Sequence, residues 1–305
     1  MSNRSLGSPA ARILAVILVG VAAFELRCGV LSSGGGLDRS KPRASSTSVA
    51  PKLGDGCYHI FLDVGANIGV HTRFLYQPDL YPMAKRAGTI FDKQFGTSAM
   101  RNNSDICSFG FEPNPAHAER HSRLAAAYNR RGWRYHFVNA GVSDEEGNLT
   151  FYHNGDEGNE EWGFGDHNLK GTGVPVTIPT IRFSTWLRNE VLGRKLPETV
   201  HGSYELPRVV MKMDIESAEY RVLPDLWFTG VMCETIDFVF GEFHPWDISY
   251  KDDAITGRGG LILSNQEAVG VLRAGVKLFH SFKDCSSDII ELDDESYLHD
   301  GVPLP

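Results

Sequence analysis

Asp63, Glu112 and Asp214 each close an apolar run, in His59-Ile-Phe-Leu-Asp63, Ser108-Phe-Gly-Phe-Glu112 and Val210-Met-Lys-Met-Asp214. Strands of that composition lie inside a parallel sheet and deliver the residues at their C-terminal ends to one edge, where open α/β sheets bind their ligands. Asp63 runs directly into a Gly65-x-Asn67-x-Gly69 turn and then a helix-like stretch that includes Thr72. Such a turn offers backbone N–H groups and a helix N-terminus to a nucleotide-like ligand. Asn139 with Ala140, Glu216, and Glu242 with His244 come after further apolar runs and reach the same edge. Glu112 stands where the acid after the second strand of a dinucleotide fold accepts from ribose hydroxyls.

The elements that position these residues alternate. Strands are expected at His59–Asp63, Ser108–Glu112, Tyr135–Asn139, Arg208–Asp214, Thr235–Phe243, Val276–Phe282 and Asp288–Leu292, and helices from about Gly69, at Pro115–Arg130, Ser217–Leu226 and Asn265–Ala274. A hairpin-like piece at Gly141–His153, turning at Glu146-Gly147-Asn148, and an extended stretch at Val174–Ile181 lead into a short helix at Phe183–Glu190. Alternation of this kind implies a doubly wound, mostly parallel α/β sheet with helices on both faces. Gln77–Asp105 is too long for an ordinary connection and is either a small added subdomain or a lid. Asp144–Lys170 is acidic and Gly-rich, ending near Trp162, Phe164 and His167, and reads as a solvated excursion or as an acceptor-contacting rim.

The chain has 305 residues and a net charge of −8, with no long Lys/Arg run, so a nucleic-acid partner is excluded. Residues 1–31 carry Arg4 and Arg12 ahead of an unbroken apolar run, Ile13–Phe24. That run has the length of a signal-sequence core and falls short of the roughly 20 residues of a membrane span. Extended to Leu31 past Glu25 and Arg27, it reaches that length, so both a cleaved signal and a type II anchor are open. Residues 32–56, rich in Gly, Ser, Pro and Thr, form a linker to a domain over 57–305. The membrane is met only through the N-terminal segment, and the expected location is the secretory pathway: the Golgi or ER lumen, or secretion.

Five cysteines show no C-x-x-C spacing, which disfavours zinc. Cys57 lies six residues before Asp63 and Cys107 five before Glu112. On neighbouring strands the two fall at one height, as a disulfide or as two buried thiols. Asn102-Asn-Ser104 and Asn148-Leu-Thr150 are glycosylation sequons.

Asn67 replaces the second glycine of the dinucleotide fingerprint, and Glu112 lies further from the turn than that fingerprint places its acid. Both departures weigh against NAD. Tyr81-x-x-x-Lys85 matches a short-chain dehydrogenase pair but stands before the second strand, out of context. DVGANIGVHT (Asp63–Thr72), FEPNP (Glu112), VNAGVSDEEG (Val138–Gly147), KMDIESAEYRVL (Lys212–Leu223) and GEFHP (Glu242, His244), in that order, resemble the FkbM-type S-adenosylmethionine-dependent methyltransferases, over about Cys57–Leu292. The family's habitual Asp-x-Glu-Gly is here Asp214-Ile-Glu216-Ser217.

The resemblance implies a Rossmann-like, seven-stranded sheet and an O-methyltransferase. Asp63 would take the cofactor's ammonium, the turn N–H groups its carboxylate, Glu112 its ribose, and Asn139 and Ala140 its adenine, with Gly65, Asn67, Gly69 and Thr72 completing the donor site. His244 would serve as general base, with Asp214, Glu216 and Glu242 orienting a hydroxyl of a glycan or another small polar acceptor. These acids with His244 could also hold Mg2+ or Mn2+ in an oxygen-rich site, but carboxylates alone hydrogen-bond a sugar adequately, so no metal is assigned. An NAD(P)-binding oxidoreductase and a catalytically silent glycan-binding relative are the alternatives.

Overall fold

Six short apolar segments make the central sheet of the computed structural model, which describes residues 50–153, 163–164, 174–204, 206–216, 218–243, 285–292 and 300–305. Strands β1 (His59–Val64), β2 (Ile106–Phe111), β3 (Arg134–Val138), β8 (Val209–Met213), β9 (Phe238–Gly241) and β10 (Asp288–Glu291) pair in the order β10-β9-β8-β1-β2-β3. Every pairing is parallel. The chain builds outward from β1 through β2 to β3, then restarts on the other side of β1 with β8, β9 and β10. The strand order therefore reverses between β1 and β8, and the C-termini of β1, β2, β3, β8 and β9 bring the polar residues read from sequence to one edge. The expected seven-stranded sheet is six-stranded among the described residues; Val276–Phe282 and Asn265–Ala274 lie outside them.

Alternate side chains of β1 point to opposite faces, which is why its sequence is apolar without a period. Ile60, Leu62 and Val64 pack with Phe109, Phe111, Met211 and Met213 under α4 (Phe183–Glu190), α5 (Glu219–Phe228) and α6 (Val231–Thr235). Phe61, Val210 and Phe240 face α1 (Val70–Tyr76), α2 (Lys85–Phe95) and α3 (Ala118–Arg130). Helix α2 is the core of the Gln77–Asp105 insertion. Its buried stripe of Ala87, Ile90, Phe91 and Phe95 has helical spacing, and Phe91 meets Phe61 edge-on at 5.0 Å. The insertion is thus a packed addition to the sheet and not a lid.

Strands β4 (Gly141–Ser143), β5 (Gly147–His153), β6 (Gly163–Phe164) and β7 (Val174–Arg182) form a second sheet, in the order β4-β7-β5-β6. The expected hairpin between β4 and β5 is absent. Both pair with β7, β4 in parallel and β5 antiparallel, with Thr180 opposite Gly141 on one side and Gly147 on the other. A seven-residue pairing over β5 supplied that preference, which local turn chemistry did not show. Trp162 and His167 lie outside the described residues.

Contacts with the domain begin before Cys57: Lys52 Nζ donates to the carbonyls of Arg188 and Leu192, and Gly54 N to that of Glu190. Residues 1–49 lie outside the described residues; within the described ones no helix is long and apolar enough to cross a membrane. Cys57 and Cys107 are disulfide-bonded with Cα atoms 5.6 Å apart. The register places Cys107 opposite Ile60, not level with Cys57. The bridge forms because Cys57 sits in the turn ahead of β1, where its N–H bonds Gly54 O at 3.1 Å and the chain folds back. A second disulfide, Cys233–Cys285, ties α6 to the segment before β10. Both sequon asparagines are exposed.

Candidate functional site

An open cleft of about 580 Å³ lies over the point where the strand order reverses, lined by Gly65, Asn67, Glu112, Pro113, Asp214 and Glu216 among others. Gly65 takes φ +75°, and a Cβ there would stand 1.7 Å from the carbonyl oxygen of Asp214. Only glycine lets the ends of β1 and β8 approach that closely. Asn67 is left-handed at φ +49°, which an asparagine tolerates.

The turn is bracketed by Glu112. Its Oε2 accepts from Asn67 N and its Oε1 from Asn114 N, both at 2.8 Å. An ionised carboxylate has about four lone-pair sites, so each oxygen keeps one for an incoming hydroxyl. Burial pushes this carboxyl up to about 7, against the pull of the two N–H groups. Asn139 sends Nδ2 to Glu112 O at 2.9 Å, and Ala140 is buried beside it. The expectation that the turn's N–H groups receive a ligand carboxylate fails for four of them. Gly65 and Ala66 donate to Phe111 O, Asn67 to Glu112, and Gly69 to Ala66 O. The turn meets a ligand with acceptors, not with those donors.

Asp63 lies one layer down, wholly buried. Its Oδ2 accepts from Thr72 Oγ1 at 3.1 Å, and that hydroxyl also lies 3.1 Å from Ser108 Oγ. Thr72 is wholly buried too, and its hydroxyl orients Asp63. Burial raises the Asp63 carboxyl to about 6, held from rising further by Lys212 and Thr72. Its Oδ1 and the Oδ1 of Asn67 are buried acceptors with no partner among the described residues. Buried acceptors left so are costly and suit a ligand that brings donors.

Lys212 is the one buried cation beside these acids among the described residues. Its Nζ donates to Gly65 O at 2.6 Å and pairs with Asp214 Oδ2 at 3.1 Å. Burial works against its charge, but Asp214 and Asp63 outweigh that and raise it above the ordinary lysine range. Asp214 is itself about one-third exposed, with its N–H bonded to Val64 O at 3.0 Å. Glu216 sits at φ +51°, a costly conformation for a glutamate and one that gathers at functional sites. Glu242 lies one position past Gly241 of β9, which pairs with Met213, so Glu242 and Asp214 occupy equivalent strand-end positions. His244 and Ser217 lie outside the described residues. No group of three or more His, Cys, Asp or Glu side chains among the described residues is arranged to hold a metal.

Several residues that hold the site were not singled out from sequence. His121 Nε2 must donate to Asn67 O at 2.7 Å, so its Nδ1 accepts from Tyr135 OH at 2.6 Å. This fixes a neutral tautomer, and burial pushes the imidazole down to about 4. Gly69 is left-handed at φ +82° and packs against His121 and Leu124, where a Cβ would lie 3.0 Å from Leu124 Cδ1. His71 is packed against Phe74 and Phe240, and burial, reinforced by Lys212, pushes it down to about 3. Lys212 alone carried a sequence signal, alternating with apolar residues in the strand that ends at Asp214. The His121 and Tyr135 contacts join separate elements and have no local signature.

The model of the methyltransferase FkbM domain matches residues 63–256, more than half of the chain. That span starts at Asp63 and takes in every site residue described above. No curated protein and no solved structure matches the chain.

Proposed function

From the premise that this chain belongs to the methyltransferase FkbM domain family, we propose that it is an S-adenosylmethionine-dependent O-methyltransferase whose donor site is the cleft between the ends of β1, β2 and β8. The observation that carries the cofactor assignment is the pair of buried, unpartnered acceptors, Asp63 Oδ1 and Asn67 Oδ1, beside the Gly65–Gly69 turn. A ligand with an ammonium group supplies their donors, and the free lone pairs of Glu112 suit a ribose diol. When bound, the cofactor supplies a methyl group already activated on a sulfonium. The chain's own part is then alignment and proton removal.

Asp214 and Glu242, on neighbouring strand ends, are proposed to accept hydrogen bonds from an acceptor hydroxyl. His244, just beyond Glu242 in the chain, is proposed as the base that takes its proton. Family membership in a methyltransferase class replaces the dinucleotide alternative. The two disulfides favour an oxidising compartment, and with the apolar N-terminal run they support a secretory location and a glycan acceptor.

Calorimetry of the full chain with S-adenosylmethionine tests the donor site. The wild type is expected to bind, and Asp63→Ala to bind at least 100-fold more weakly. No binding by the wild type overturns the proposal. Incubation with glycan mixtures, read as the mass increment of one methyl group, tests turnover. Binding without transfer would instead identify a silent relative.

A further inference from the structure

Three segments remote in sequence meet behind the donor turn. The Asp300 carboxylate is wholly buried and accepts from Arg73, from Arg120 Nη2 at 2.7 Å, from Tyr81 OH at 2.9 Å and from Val302 N at 3.1 Å. Arg73, on α1 and also wholly buried, donates as well from Nη1 to the carbonyl of Val302 at 2.9 Å and from Nη2 to that of Pro303 at 2.8 Å. Arg120 is held at both ends: Nη2 on Asp300, and Nε on Ile68 O at 2.8 Å, inside the turn. The next residue on α3, His121, holds the preceding carbonyl, that of Asn67. Two consecutive turn carbonyls are thus tied to two consecutive residues of α3, and one of these ties depends on Asp300.

We propose that Asp300 and Arg120 are positioning residues for the cofactor turn: through them the segment 300–305 sets the conformation of Ala66–Gly69 and so the affinity for the methyl donor. An arginine free at its guanidinium end samples many rotamers, and fixing it against Ile68 O alone costs about as much as one hydrogen bond returns. Asp300 removes that freedom with a charge-assisted bond. The same carboxylate lies between two guanidiniums, so its removal leaves Arg73 buried without its anion, a large structural effect. The Arg120 arm can be cut alone, because Arg73 and Asp300 remain paired in its absence. Val302 and Leu304 pack on the α1–α3 side of the core and hold the segment in place.

The cofactor role rests on the functional reading above, whereas the mechanical role does not. Native-state hydrogen exchange on the unliganded full chain therefore comes first. Arg120→Gln is expected to speed exchange at the Asn67 and Gly69 amides at least tenfold, with the amides of β2 and β8 unchanged. Arg123→Gln, an exposed neighbour on α3, is expected to change neither.

In calorimetry with S-adenosylmethionine, Arg120→Gln is expected to weaken binding about tenfold, with turnover at saturating cofactor within twofold of wild type. Asp300→Asn should do the same and also lower the melting temperature. If Arg120→Gln leaves turn exchange and cofactor affinity unchanged, the inference is overturned and the segment is only a structural staple. If the wild type itself does not bind the cofactor, the functional reading fails, and turn exchange alone decides the mechanical one.

Discussion

The two halves of the cleft are built by different means. On the proposed donor side the backbone is tied down: Gly65 O to Lys212, Asn67 N to Glu112, Asn67 O to His121 and Ile68 O to Arg120, all at 2.6–2.8 Å. On the proposed acceptor side the described groups are carboxylates at strand ends, with Asp214 in the cleft lining and about one-third exposed and Glu242 half-buried at the end of β9. A donor that does not change favours a site fixed in the main chain, where a single turn conformation does the recognition. An acceptor is read by side chains that one substitution can replace. On the proposed assignment, donor recognition is the half legible as a motif, and acceptor choice the half that is not.

The largest effect should come from breaking the donor backbone. Gly65 and Gly132 have nearly the same φ, +75° and +76°, but a Cβ on Gly65 would stand 1.7 Å from the Asp214 carbonyl oxygen while one on Gly132 meets nothing within 4 Å. Gly132→Ala should cost only the left-handed penalty, about 1 kcal/mol. Gly65→Ala must also separate β1 from β8, and a loss of about 4 kcal/mol or more is expected. Urea denaturation of both variants measures the difference; equal losses would mean that the turn is not constrained by β8.

Lys212→Met comes next, because it is the link between the halves. Removing one member of a buried pair costs about 3 kcal/mol. Here it leaves Asp63 and Asp214 without their shared cation. Both donor affinity and turnover should fall. Asp214→Asn, by contrast, should lower turnover about 100-fold while S-adenosylmethionine affinity stays within threefold of wild type. A parallel loss of donor affinity would show that Asp214 belongs to the donor half.

Sequence carried the donor half because its determinants are local or register-bound. The Asp63–Gly69 turn comes from an apolar strand broken by glycines, and Glu112 ends the strand next to it. The residues that tighten the turn were hidden. His121 and Tyr135 lie within an expected helix and strand with nothing local to mark them, and Asp300 lies more than 200 residues from its partner Arg73. The same limit explains β4 and β5. Glu146-Gly147-Asn148 is good turn chemistry, yet both strands pair with β7, which is distant in sequence. Cys57–Cys107 was legible as a pair but not in its geometry, since the register of β1 on β2 is set by packing on both faces.

The smallest effect separates the halves by pH. Asp63 and Glu112 titrate near 6 and 7 because burial disfavours their charge. A carboxylate raised in the folded state contributes stability at acid pH that is lost as pH rises through its folded value, so ionising these groups loosens the unliganded donor half. A cationic donor needs Asp63 ionised, so ligand affinity moves the other way. From pH 7.5 down to pH 5, S-adenosylmethionine affinity should fall about tenfold through Asp63 alone, since roughly nine in ten molecules then carry the proton. The buried His71 and His121, pushed down to about 3 and 4, stay neutral in the folded state over this window, and the stability that they contribute above pH 6.5 is lost progressively as pH falls from there toward those values. They shape the stability curve without competing for the ligand. Asp63→Asn should bind weakly but lose most of this pH dependence, leaving a shallower rise near pH 7 from Glu112. If its titration curve keeps the wild-type slope between pH 5 and 6, the proton that controls donor binding sits elsewhere, and the buried Oδ1 of Asp63 is not the acceptor that the ammonium meets.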